Sequence, residues 1–199
     1  MLWRGIGFYE GTGNALILGN TIYDCSYGIG VNETGRLYGN LNAMVTIQRN
    51  LIYNTTLGID SNLPVTVENN TIKNNNVGIA TSASLSIIYN NIEGNNQSIY
   101  LASSNNLEAT NNWWGTSDTQ AINQSIYDNK NAAHLGTVTF VPFLTEPNPE
   151  ASPASTSEIP ELPLSLILAL LISGTLAVAI GFKSVRKIKG CAQHGFLPR

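Results

Sequence analysis

Residues 65–104 read VTVENNTIKNNNVGIATSASLSIIYNNIEGNNQSIYLASS. Asparagines come in clumps, single isoleucines stand between them, and the arrangement returns twenty residues later. Working outward from this stretch, ALILGNTIYDCSYGIGVN from 15, VTIQRNLIYNTTLGIDSN from 45 and LEATNNWWG from 107 fall into the same alignment. The units start 30, 20, 20 and 22 residues apart. The spacing of 30 is a unit of twenty with ETGRLYGNLN, residues 33–42, added.

Columns then appear. Ala15, Val45, Val65, Leu85 and Leu107 form one, and Ile17, Ile47, Val67, Ile87 and Ala109 form the next, two residues on. Asn20, Asn50, Asn70, Asn90 and Asn112 form a third without exception. Ile22, Ile52, Ile72, Ile92 and Trp114 form a fourth. Ile29, Ile59, Ile79 and Ile99 form a fifth, preceded by Gly28, Gly58, Gly78 and Ser98.

A fixed period of about twenty marks a solenoid. Apolar residues at i and i+2, mostly β-branched, mark strands rather than helices. The columns are Ile and Val, not the spaced leucines of a leucine-rich repeat. The pattern therefore predicts an all-β, right-handed parallel β-helix of about five coils, with a core ladder of Ile22, Ile52, Ile72, Ile92, Trp114, Ile29, Ile59, Ile79 and Ile99. Asparagine belongs at the corners, where it tolerates left-handed backbone and bonds neighbouring peptides. Stacked at one corner, the side chains of Asn20, Asn50, Asn70, Asn90 and Asn112 would form an inward amide ladder. The glycine column is read as a second corner needing positive φ.

An open end of such a stack exposes unpaired strand edges and core. In GTSDTQAINQSIYD, Ser117 and Gln120 match a capping box and Ile122 with Ile126 gives one apolar stripe. The reading is a capping helix over 118–128, followed by a closing strand over 135–144. RGIGF at 4–8 looks like the late part of a preceding coil, so further coils are expected upstream.

Only 12% of the chain is charged. Residues 1–163 hold all 13 acids and five bases, a net −8, while 164–199 hold five bases and no acid. The acidic body argues against nucleic acid, which needs clustered Lys and Arg. The domains expected are the β-helix with its cap at 1–143, a Pro-rich linker at 144–163, a transmembrane helix at 164–182 and a basic tail at 183–199. The run LSLILALLISGTLAVAIGF at 164–182 carries no charge; as a helix it spans about 28 Å, close to the bilayer core. KSVRKIKG follows at once, which places the tail in the cytoplasm and the body outside. Ala169, Ser173, Ala177 and Gly181 recur every fourth residue, a spacing that favours self-association of such helices. Cys25 and Cys191 lie on opposite sides of the run, so no intrachain disulfide is expected. The first residues show no export signal, which also points to a longer protein.

With these columns, the chain resembles the right-handed parallel β-helix repeat family, the architecture of pectate-lyase-like enzymes and many surface proteins. NNWWGTSDTQAINQSIYDNKNAAHLGTVTFVPFL resembles the terminal segment of extracellular repeat proteins, and EIPELP the membrane-proximal stretch of archaeal surface proteins. The resemblance to the enzymes implies a cluster of Asp or Glu on one face. Asp24, Asp60, Glu68 and Glu93 instead occupy four registers. Lys73 and Glu93 share a register, and Arg49 lies one register from Glu68 in the next unit, so both are read as exposed ion pairs. His134 and His194 have no partner at metal-ligand spacing. No catalytic residue, cofactor or metal is assigned. Tyr23 and Tyr53 share a column and offer a short aromatic strip for glycan contact. The expected role is a membrane-anchored surface module, structural, adhesive or glycan-binding, with surface glycans or cell-envelope components as partners. The alternative is a polysaccharide lyase or glycoside hydrolase whose active site lies on upstream coils.

Overall fold

The computed structural model describes residues 4–9, 14–32 and 44–153. The insertion at 33–42, the second half of the linker, the apolar run at 164–182 and the tail lie outside the described residues. Among the described residues no helix is long and apolar enough to cross a membrane.

Each coil makes three short strands, and each strand pairs in parallel with its equivalent in the next coil. Face 1 stacks Ala15–Leu18, Val45–Gln48, Val65–Glu68, Ser86–Ile88, Leu107–Glu108 and Val138–Thr139. Face 2 stacks Thr21–Tyr23, Leu51–Tyr53, Thr71–Lys73 and Asn91–Glu93. Face 3 stacks Arg4–Tyr9, Tyr27–Asn32, Leu57–Ser61, Val77–Thr81, Gln97–Leu101 and Ile126–Tyr127. The result is a three-sided parallel β-helix with its core along the axis.

Equal letters do lie over one another. Ile52 is in register with Ile22 and Ile72, and Ile72 with Ile92. All four are fully buried. Ile29, Ile59, Ile79 and Ile99 run in register along face 3, and Ile126 extends the row. Each buried isoleucine contributes about 1.5–3 kcal/mol.

Asn20, Asn50, Asn70, Asn90 and Asn112 fill the corner between faces 1 and 2. Asn50 donates from Nδ2 to Oδ1 of Asn70 at 2.9 Å and from its backbone N at 3.0 Å. Its Nδ2 also reaches the carbonyl of Ile17, one coil back, at 2.8 Å. The same set repeats at Asn70 and Asn90. The left-handed residue is the one before each ladder asparagine: Gly19, Arg49, Asn69, Tyr89 and Asn111 all have positive φ. Burial of the ladder side chain fixes the corner so firmly that even Arg and Tyr accept this backbone.

The glycine column has a different cause from the one expected. Gly28, Gly58 and Gly78 do not have positive φ. A Cβ on Gly58 would lie 2.5 Å from the carbonyl oxygen of Gly78, and one on Gly78 would lie 2.7 Å from that of Ser98. Close approach of successive coils, not backbone conformation, requires glycine there.

At the C-terminal end the helix is shorter than expected, Thr119–Gln124. Its N-cap is Asp118, which accepts from the backbone N of Gln120 and Ala121, rather than Ser117. Ile126–Tyr127 leaves the helix because it pairs with Ile99 and Tyr100 on face 3. Within the segment read as a closing strand, only Val138–Thr139 pairs, with Leu107–Glu108.

Buried Asp128 ties this end together. It accepts from Lys130 Nζ at 2.9 Å, from the Lys130 backbone N at 3.1 Å and from the Val138 backbone N at 3.0 Å. Burial alone would raise its pKa, but these donors outweigh it and hold the carboxyl below its ordinary value of 3.8. A depressed folded-state pKa means stability present above the ordinary value and lost as pH falls below it. Acid titration of unfolding should therefore show a steeper loss below about pH 4 in the native chain than in Asp128→Asn. Equal slopes would remove Asp128 as an acid-sensitive tie. Cys25 is buried and disulfide-bonded, against the expectation drawn from its position opposite Cys191. Cys191 lies outside the described residues.

Candidate functional site

Face 3 carries its functional side chains on the positions that the strand turns outward. In Leu57–Ser61, Ile59 and Ser61 are buried while Leu57 and Asp60 reach the surface. Register then builds two outward columns. One runs Tyr27, Leu57, Val77, Gln97. The other runs Gly30, Asp60, Ala80, Tyr100, Tyr127.

Ala80 is a small residue between the larger Asp60 and Tyr100 in the second column, and a depression forms above it. The groove has a volume of about 430 Å³, with Leu57, Val77 and Ala80 as its apolar lining and Asp60, Gln97 and Tyr100 as its polar or aromatic groups. Asp60 accepts from Asn32 Nδ2 at 3.1 Å, which orients the carboxylate. The Tyr100 ring stacks on Tyr127 with centroids 4.9 Å apart and planes 18° apart. That covers one face of the ring. On the other side the neighbouring position is Ala80, so the second face borders the groove.

The Tyr23 and Tyr53 rings are brought together on face 2, 5.1 Å apart and 13° from parallel. Each spends one ring face on the other. The next residue in that column is Lys73, a long side chain, where the next residue beside Tyr100 is alanine. The two aromatic pairs therefore differ in what remains open for a ligand.

The acids do not converge. Glu93 accepts from Trp113 Nε1 at 3.3 Å, and no ion pair joins it to Lys73 among the described residues, although the two are in register. Arg49 pairs with Glu150 at 3.3 Å, not with Glu68. No group of three His, Cys, Asp or Glu that would hold a metal ion occurs among the described residues. His134 is exposed.

Sequence reasoning missed two features. One is a second polar column at the corner between faces 2 and 3, made of Thr55, Asn75 and Asn95. Asn75 Nδ2 donates to Asn95 Oδ1 at 3.0 Å, and Thr55 Oγ1 to Asn75 Oδ1 at 2.8 Å. Its signal was five residues past the invariant asparagines, obscured by mixed letters. The other is the groove, whose signal was a small residue between Asp60 and Tyr100 in one column.

No curated protein matches the chain, and no solved structure does. A family model described as "Right handed beta helix region" matches residues 4–123. That span runs from the first described strand into the capping helix, and over it the strands wind in parallel on three faces. The chain belongs to the right-handed β-helix family.

Proposed function

We propose that the chain is a surface-displayed β-helix that binds neutral glycans through the face 3 groove. The observation that carries this reading is the Tyr100 ring face bordering an apolar depression, with Asp60 and Gln97 at its sides. An aromatic face packs on the apolar face of a sugar ring, while a carboxylate and an amide bond its hydroxyls. The groove lining includes one acid and no base, which disfavours uronates and sulfated sugars. Tyr100, rather than the Tyr23 and Tyr53 strip, is the aromatic contact.

Display outside the cell, of the archaeal surface type that EIPELP resembles, rests on the uncharged run at 164–182 and the basic residues after it. A disulfide at Cys25 competes with this part of the proposal, because Cys191, the only other cysteine, follows the run. Peptide mapping under non-reducing conditions decides it: a Cys25–Cys191 bond puts body and tail on one side and ends the membrane-spanning reading.

The binding test is a glycan array with the chain, followed by calorimetric titration with the best neutral oligosaccharide. Tyr100→Ala should weaken binding about tenfold, ~1.4 kcal/mol, and Tyr53→Ala should leave it unchanged. Equal effects from the two would remove the groove as the site. Release of reducing or unsaturated ends would turn the reading towards a polysaccharide-cleaving enzyme.

A further inference from the structure

Residues 144–153, the first half of the segment read as a linker, do not leave the body. They double back along face 2, against the direction in which the coils stack. Leu144 donates its backbone N to the Asn112 carbonyl at 2.9 Å. One coil back, Asn91 grips the backbone of Asn148 at two points, accepting from its N at 2.8 Å and donating Nδ2 to its carbonyl at 3.0 Å. The Asn148 side chain donates to Asn69 Oδ1 at 3.0 Å and to the Tyr89 carbonyl at 2.6 Å. A further coil back, the Thr71 hydroxyl donates to the carbonyl of Ala151, which is fully buried, and Thr71 lies 3.0 Å from Ser152 Oγ. The last contact is the exposed ion pair of Glu150 with Arg49.

We propose that this strap is a peelable latch through which any load on the C-terminal tail enters the β-helix. The geometry sets the order of events. The tail leaves from the end of the strap nearest the middle of the stack, so a pull on it meets the strap contacts one at a time. The Ser152 and Ala151 contacts with Thr71 lie nearest the tail and are met first, followed by the exposed and weak Glu150–Arg49 pair. The Asn91 grip on Asn148 follows, and Leu144 is last. The strands of the coils are tied by parallel ladders and by the two polar columns, a denser set of bonds that outlasts the strap. Release would lengthen the tether and uncover the polar row Asn69, Thr71 and Asn91. Thr71 and Asn91 are buried while the strap is in place. The inference does not depend on the glycan reading.

The test is force spectroscopy on the full chain held by its two termini. The native chain should give a first, low-force step of at most about 35 Å, the extended length of ten residues, before any coil unravels. Asn91→Ala should lower the force of that step about twofold or more and leave the later steps unchanged. Asn148→Ala, which leaves every coil intact, should do the same and guards against misfolding of the first variant. Loss of strap and coils in one event, or a first step unmoved by both variants, would overturn the proposal.

Discussion

Replacing Asn70 with alanine should destabilise the β-helix by about 3–5 kcal/mol, measured by denaturant unfolding followed by circular dichroism. Asn70 is fully buried. Its Oδ1 accepts from both the backbone N and the Nδ2 of Asn50, and its Nδ2 donates to the carbonyls of Ile47 and Glu68 and to Asn90 Oδ1. Alanine removes all five bonds and supplies nothing to the groups left behind. The buried backbone N of Asn50 would then lose its acceptor, at about 1–3 kcal/mol, and the Ile47 and Glu68 carbonyls would each lose a donor. Asn70→Asp should not rescue the fold, because it retains the acceptor but loses the donors and buries a charge. Asn76→Ala is the control. Asn76 is exposed and accepts one bond, from Asn96 at 3.1 Å, so its loss should cost within about 0.5 kcal/mol. Equal effects at positions 70 and 76 would mean that the ladder does not hold the corner.

The same ladder explains why so much of the architecture was legible. One coil is one sequence period, so register follows from alignment, and Ile52, Ile72 and Ile92 could be placed over one another from their letters. Legibility fails where the period does. Tyr127 sits beside Tyr100 at an offset of 27 residues, because the capping helix lies between them, so that stack could not be read from columns of twenty. The N-cap was placed one residue early because Ser117 and Asp118 are both capping residues, and only geometry shows which oxygen meets the first free amides. The strap was hidden for another reason. Its Pro-rich composition offers no apolar pattern to read, and a segment held by side-chain bonds to its backbone needs none. The candidate site lay between these cases: its columns were legible, but the depression depends on one small side chain, Ala80, between two larger ones.

The second large effect is expected at Gly58, and the smallest possible change suffices. Gly58→Ala adds one methyl group, and that carbon would sit 2.5 Å from the Gly78 carbonyl oxygen, 3.1 Å from Ile72 Cγ2 and 3.3 Å from Asn75 Nδ2. The first of these is backbone of the next coil, so no side-chain rotation relieves it. The coils must separate, which stretches the face 3 ladder and disturbs the Asn75 column together. We expect a loss of about 3 kcal/mol, the upper end for overpacking a filled interior. Propensity argues the other way: with φ outside the left-handed region, alanine in place of glycine should stabilise by about 0.4–1 kcal/mol through the unfolded chain. The sign of the measured change therefore decides between close approach and conformational freedom. Ser98 provides the internal comparison. It ends the same column, and the segment after it is not a twenty-residue coil: its backbone N donates to the Ser125 carbonyl beyond the helix. A side chain is tolerated there because the neighbour above is spaced by the cap rather than by an identical coil. Ser98→Gly should shift stability by less than about 1 kcal/mol. A stabilised Gly58→Ala chain would show that the glycine column serves the backbone and not the contact between coils.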